Sequence, residues 1–125
     1  MVTFLFPLLL AAGLTAQEPE KVGPGVTPPV PIYKVEPSYT QEAKEAKLEG
    51  TVVLSIVIEA DGSPSQVKVL KHRLCYRETQ TEAVDDLGLG AKAVECIAQW
   101  KFRPGLKEGK PVAVEAKVEI NFRLL

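Results

Sequence analysis

The segment from Val112 to Leu124 most constrains what this chain can fold into. Val112, Val114, Ala116, Val118, Ile120, Phe122 and Leu124 alternate with Ala113, Glu115, Lys117, Glu119, Asn121 and Arg123. Successive side chains of a strand point to opposite faces, so this pattern predicts one wholly apolar face and one polar or small one. Such a strand belongs in an antiparallel sheet whose apolar face is covered by helices and whose other face is solvated. The run Thr51 to Glu59 repeats the period, with Val52, Leu54, Ile56 and Ile58 on one face and Thr51, Val53, Ser55, Val57 and Glu59 on the other. Ala60-Asp61-Gly62-Ser63 supplies turn chemistry, and Val67 to Lys71 returns, which predicts a β-hairpin.

Two stretches carry helical signals. Ser38 with Gln41 three residues on matches a capping box, and the following residues suit a short helix that ends before Gly50. From Ala91 to Trp100, the apolar positions Ala93, Val94, Ile97 and Trp100 fall on one helical stripe, and Pro104-Gly105 stops the run. Residues 72 to 88 lack a period and read as a loop with at most one helical turn; His72, the only histidine, reads as an exposed strand-end residue.

The N-terminal third is built differently. Residues 1–16 carry no Lys, Arg, Asp or Glu and are mostly apolar, and the chain turns polar at Gln17 and Glu18. A membrane-spanning helix needs about 20 apolar residues, whereas a secretory leader needs roughly 7 to 15 followed by small residues, so 1–16 reads as a signal peptide cut after Ala16. If the leader is retained, it acts as a short membrane anchor. Residues 17–35 contain Pro19, Pro24, Pro28, Pro29 and Pro31 with Gly23 and Gly25. Proline fixes φ and deletes amide donors, so the expectation is an extended linker or a disordered tail.

Charge and composition exclude several functions. Fifteen basic and sixteen acidic side chains give a net charge of −1, and no long run of one sign appears, so the chain lacks the electrostatic footprint of a nucleic-acid binder. No Gly-rich phosphate loop, paired-carboxylate motif or nucleophile–base pattern is present, and neither a catalytic residue nor a cofactor is expected. One histidine without CxxC or HxxxH spacing gives no metal cage. In an exported protein Cys75 and Cys96 suit one disulfide; alternatively Cys96 is a small buried helix residue and Cys75 a loop thiol.

Several short elements, in order, carry a family resemblance. They are Glu49-Gly50-Thr51-Val52, Asp61-Gly62, Trp100-Lys101-Phe102-Arg103-Pro104, Gly109-Lys110-Pro111-Val112 and the ending Ile120-Asn121-Phe122. Residues 36–125 resemble the TonB C-terminal domain. The resemblance implies an α+β fold, a three-stranded antiparallel sheet with two helices packed on one face, working in the periplasm. It implies partners that are TonB-dependent outer-membrane receptors or similar peptides, bound by addition of an extended strand to the last β segment. The implied contacts are Val112, Val114, Glu115, Ala116, Lys117, Val118, Glu119, Ile120, Asn121, Phe122 and Arg123, with Glu36, Pro37 and Tyr39. Glu36 stands where the family carries Gln and, ionised, accepts but cannot donate a hydrogen bond. The family's second helix commonly starts with Asp, and here begins at Gly90. An ExbB/ExbD-type motor is the family's energy source, and this chain shows no clear anchor for it. The other reading of the same strand is a freestanding secreted module that pairs with a second copy of itself.

Overall fold

The structure is a computed structural model that describes residues 18–125; the apolar leader and its expected cleavage point lie outside the described residues. Three short strands come first: β1 (Glu20–Lys21), β2 (Val26–Thr27) and β3 (Val30–Tyr33). Helix α1 (Gln41–Glu45), strands β4 (Leu48–Ile58) and β5 (Pro64–Tyr76) and helix α2 (Leu89–Ile97) follow. The chain ends in β6 (Lys101–Arg103), β7 (Gly105–Lys107), β8 (Lys110–Val112) and β9 (Val114–Phe122).

The hairpin β4–β5 and the last strand make the main sheet, in the order β1-β9-β4-β5. β4 and β9 pair antiparallel from Gly50↔Phe122 to Ile58↔Val114 without a register shift. The sheet therefore has four strands where three were expected, because β1 adds to β9 in parallel. Two smaller sheets, β2-β7-β8 and β3-β6, tie the Pro-rich segment to the residues after α2.

That segment differs from the expected free spacer for a physical reason. Proline is tolerated on sheet edges, where its missing amide faces away from the partner. Here Val30-Pro31-Ile32-Tyr33 pairs with Lys101–Arg103 on one side only. Strand β5 also extends past Lys71 to Tyr76, through residues read as loop, and His72 sits half-buried within it opposite Val52. Register shifts after Val53 and Ser55 break the alternation on β5, which hides the strand from a period-two reading.

Both helix starts move from their expected positions. α1 is capped by Thr40, whose Oγ1 accepts from Ala43 N at 3.1 Å and donates to Leu87 O at 2.6 Å, and not by Ser38. α2 starts with Gly88, not Gly90, at the N-cap, and the Asp86 carboxylate accepts from both Gly88 N (2.9 Å) and Gly90 N (3.0 Å). An aspartate thus satisfies the orphan amides of the first turn from just outside the helix.

Both helices cover one face of the sheet. Val52, Leu54, Ile56, Ile58, Leu74, Ile120 and Phe122 form one core with Ala43 from α1 and Leu89, Ala93 and Ile97 from α2. Fully burying each large apolar side chain contributes about 1.5–3 kcal/mol, so this layer dominates the stability of the fold. The opposite face is less polar in effect than its pattern implies. Val53 and Val57 are also buried, and Arg73 reaches across β4 on that face to pair with Glu119 at 3.5 Å.

The family-like elements meet in space. Gly50 has φ 142°, and a Cβ there would overlap the Arg73 carbonyl of the neighbouring strand. Gly62, in the hairpin turn, accepts from Phe102 N at 3.0 Å, so the Asp-Gly turn and the Trp-x-Phe-x-Pro element form one joint. Glu49 accepts from Leu124 N at 2.8 Å and fastens the C-terminus beside the start of β4.

Candidate functional site

Strand β9 has β4 along its whole length on one side. On the other, β1 pairs only at Glu20↔Val114 and Lys21↔Glu115, with Glu20 N donating to Ala113 O at 2.8 Å. Main-chain groups of an extended strand point alternately to its two neighbours. The outward-facing set is therefore Ala113, Glu115, Lys117, Glu119 and Asn121. Among the described residues no strand pairs with this rim from Ala116 to Phe122. β1 ends where it does because Gly23-Pro24-Gly25 turns the chain away, with Val26 N donating to Gly23 O at 3.1 Å.

Two cavities follow the free rim. One of about 390 Å³ lies between Ala116 to Glu119 and the Pro-rich residues Val22, Pro28, Pro29, Pro31 and Lys34, with Ile58, Trp100 and Phe102 also lining it. A second of about 190 Å³ runs between Glu119 to Asn121 and Lys34 to Pro37. Lys34, Trp100 and Glu119 line both. Trp100 is fixed: its Nε1 donates to Val35 O at 3.1 Å, its ring lies 6.1 Å from Phe102, and Lys34 Nζ sits 5.4 Å from its centroid. The ammonium over the indole is a cation–π contact that holds Lys34 against Trp100 in the lining that both cavities share.

The inner face of β9 changes along its length in step with this. Val114, Ile120 and Phe122 are buried, while Ala116 and Val118 are only half-buried where the larger cavity opens. Glu115, Lys117, Glu119 and Asn121 are exposed on the other face. Lys21 pairs with Glu115 at 3.7 Å and Arg73 with Glu119 at 3.5 Å, and Lys117 makes no ion pair among the described residues.

Some of the expected contacts gather here and others do not. Glu115 to Phe122 lie on β9, and Glu36 and Pro37 line the smaller cavity. Val112 belongs to β8 and pairs with Gly105, separated from β9 by a break at Ala113. Arg123 lies past the end of β9 in a recess with Gln41 and Lys44. Tyr39 lines that recess and not the rim: its hydroxyl donates to Leu48 O at 2.7 Å and its ring meets Phe122 edge-on at 5.5 Å. Burial pushes the Tyr39 phenol up to about 12, and the nearby Glu49 carboxylate adds to it, so the hydroxyl stays a donor. Lys34, Trp100 and the prolines were not legible as rim neighbours; the β-branched residues around Pro31 were the one available signal of an edge strand.

The two cysteines are not bridged. Cys96 is buried in α2 and its Sγ donates to Val35 O at 3.1 Å, while Cys75 lies on β5 opposite Glu49. Burial pushes the Cys96 thiol up, which keeps it protonated and able to donate that bond. Among the described residues no group of three His, Cys, Asp or Glu side chains is placed to hold a metal ion.

Comparison with known proteins assigns the fold. The family described as Gram-negative bacterial TonB protein C-terminal matches residues 35–74 and 77–124. Over 91 residues the chain is 34% identical to Protein TonB of Vibrio cholerae serotype O1, covering 73% of this chain and 33% of that protein. Over 93 residues it is 30% identical to Protein tonB2 of Pseudomonas aeruginosa, covering 74% and 30% respectively. The chain thus spans about a third of the length of these relatives. The solution structure of the Pseudomonas aeruginosa TonB C-terminal domain superposes with a TM-score of 0.54 at 21% identity, covering 83% of this chain and 92% of that one. The chain belongs to the family of Gram-negative bacterial TonB protein C-terminal domains.

Proposed function

We propose that this domain is a non-catalytic, periplasmic binding module for the peptide segments of TonB-dependent outer-membrane receptors, taking part in energy-coupled transport. Binding is by strand addition along β9. The observation that supports this reading is the free rim from Ala116 to Phe122, on a strand whose other side is held by nine pairs to β4. An exposed, regular edge offers a row of unpaired amides and carbonyls, and an extended peptide satisfies them with little demand on its side chains. Among the described residues no helix is long and apolar enough to cross a membrane, so an ExbB/ExbD-type motor would have to act through a segment outside them.

Titration of isotopically labelled full chain with synthetic N-terminal receptor segments tests the reading. The amides of Lys117, Glu119 and Asn121, which face outward, are expected to shift most. No movement of these amides at millimolar peptide would sink strand addition.

A second reading, self-association through the same rim, is favoured by the charge order. An antiparallel pair of β9 strands centred on Val118 sets Lys117 opposite Glu119 of the other copy twice, and opposite charges at facing positions stabilise a sheet pair. Sedimentation showing a concentration-dependent dimer, with protection of the same outward amides, would support this over peptide capture.

A further inference from the structure

We infer that the Pro-rich segment from Val22 to Pro37 and the free rim of β9 are the two walls of a slot for one extended peptide strand, whose alternate side chains must be apolar. The inference rests on the strand-addition reading above and adds to it the chemistry of the guest.

The rim demonstrably takes extended backbone, because β1 already occupies its first two positions in parallel. At Val22 the chain leaves the rim, turns through Gly23-Pro24-Gly25 and returns as β2 and β3, held by pairing to β7 and β6. This route brings Pro28, Pro29 and Pro31 to the same cavity as Ala116 and Val118. The two cavities share Lys34, Trp100 and Glu119, so the space continues along the rim from Ala116 to Asn121. Prolines suit such a wall: they supply apolar surface and, lacking amides, do not themselves compete for the carbonyls of β9.

Strand geometry then decides what fits. Alternate residues of an added strand point to the helix side of the sheet, where they meet Ala116, Val118, Trp100 and the prolines. The indole N–H there is already used by Val35 O. Over Ala116 and Val118 a polar guest side chain would lose water with Lys34, engaged on the Trp100 ring, as its one charged neighbour among the wall residues, whereas an apolar one gains burial. Residues on the other side stand over Lys117 and Glu119 in solvent and discriminate little. β1 is the end stop, so the guest register begins at Ala116 and runs for about seven residues, the length left free by the parallel pairing.

Two acetylated and amidated heptapeptides, each followed by two lysines for solubility, test the slot. One alternates valine and serine; the other has asparagine at every valine. Titrated into labelled full chain, the valine peptide is expected to shift the Lys117 and Glu119 amides and to bind at least about tenfold more tightly, which corresponds to about 1.4 kcal/mol. Val22→Glu, a change at a residue that is 50% exposed, is expected to erase most of that preference while the circular dichroism spectrum stays unchanged. Equal affinity for the two peptides, with both still shifting the rim amides, overturns the slot and leaves strand addition standing. Shifts with receptor segments but none with the valine peptide do the same. No shift with any of these peptides overturns both. Tighter binding by Val22→Glu or by Glu20→Pro, which removes the amide bonded to Ala113, overturns the slot by making the segment a competitor for the rim and not its wall.

Discussion

The two outer strands of the main sheet are built in opposite ways. β5 carries Lys68, Lys71 and Arg73 exposed along its length, makes two register shifts against β4, holds Gln66 at φ 47°, and is bridged near its end by Glu82 from the following loop. β9 runs nine residues against β4 without a shift, and its exposed charges alternate in sign. Backbone pairing needs main-chain groups at even spacing, and irregularity with lysines is how sheet edges refuse it. One rim is closed to a visiting strand by its own geometry, and the other is regular and, among the described residues, engaged at two positions only. A domain of this size therefore offers backbone hydrogen bonding in one direction, which is what a binding module needs to avoid pairing on both sides.

Four experiments break or sharpen this contrast. The largest effect is expected from Phe122→Ala, which empties a buried site beneath β9 beside Tyr39 and should lower unfolding free energy by about 3–5 kcal/mol in chemical denaturation. Lys71→Ala on the exposed face of β5 is its control and should change stability by less than about 0.5 kcal/mol. Next, Glu119→Pro removes an outward amide from the free rim and should weaken peptide binding at least about tenfold with the fold retained. Replacing Lys68 and Lys71 by Thr on β5 should leave that affinity unchanged, and a matching loss there would erase the distinction between the two strands.

A smaller effect is expected at Tyr39. Tyr39→Phe loses the hydrogen bond to Leu48 O and should cost about 1 kcal/mol at neutral pH. The folded phenol titrates near 12 against 10.0 for the free side chain, so its contribution is fully present below pH 10 and is lost as pH rises from 10 toward 12. Wild type should therefore lose stability over that interval more steeply than the phenylalanine variant, and parallel curves would show that the hydroxyl is not held. The smallest effect belongs to β1. Its Lys21–Glu115 and Glu20–Lys107 pairs are exposed, and such pairs contribute at most about 1 kcal/mol, so raising salt should speed exchange of the Glu20 amide while leaving amides at the β4–β9 seam unmoved.

The parts of the fold legible in sequence were those where one physical signal acted alone. β9 and β4 have an uninterrupted period of two, and α2 has a clear apolar stripe, so their existence followed from the pattern. Residues 72–76 were illegible as strand because the shifts on β5 put His72 and Leu74 on the inner face out of phase with Val67. The Pro-rich segment was illegible because proline content argues for a solvated spacer, and only tertiary pairing with β6, β7 and β9 decides otherwise. The disulfide expectation came from compartment and count; it could not foresee that Cys96 faces a main-chain carbonyl from residue 35. Of the site, the rim strand was readable, and the wall opposite it was not, since no local pattern links Pro28 to Val118.

The unshifted ladder between β9 and β4 has a mechanical corollary. Antiparallel hydrogen bonds lie at right angles to the strands, so a tug along β9 shears all nine pairs together, whereas a tug across it would part them one at a time. Any load that a bound strand delivers lengthwise is spread over the seam before it reaches the helices. The toughest direction of the molecule is thus the axis along which its vacant margin points.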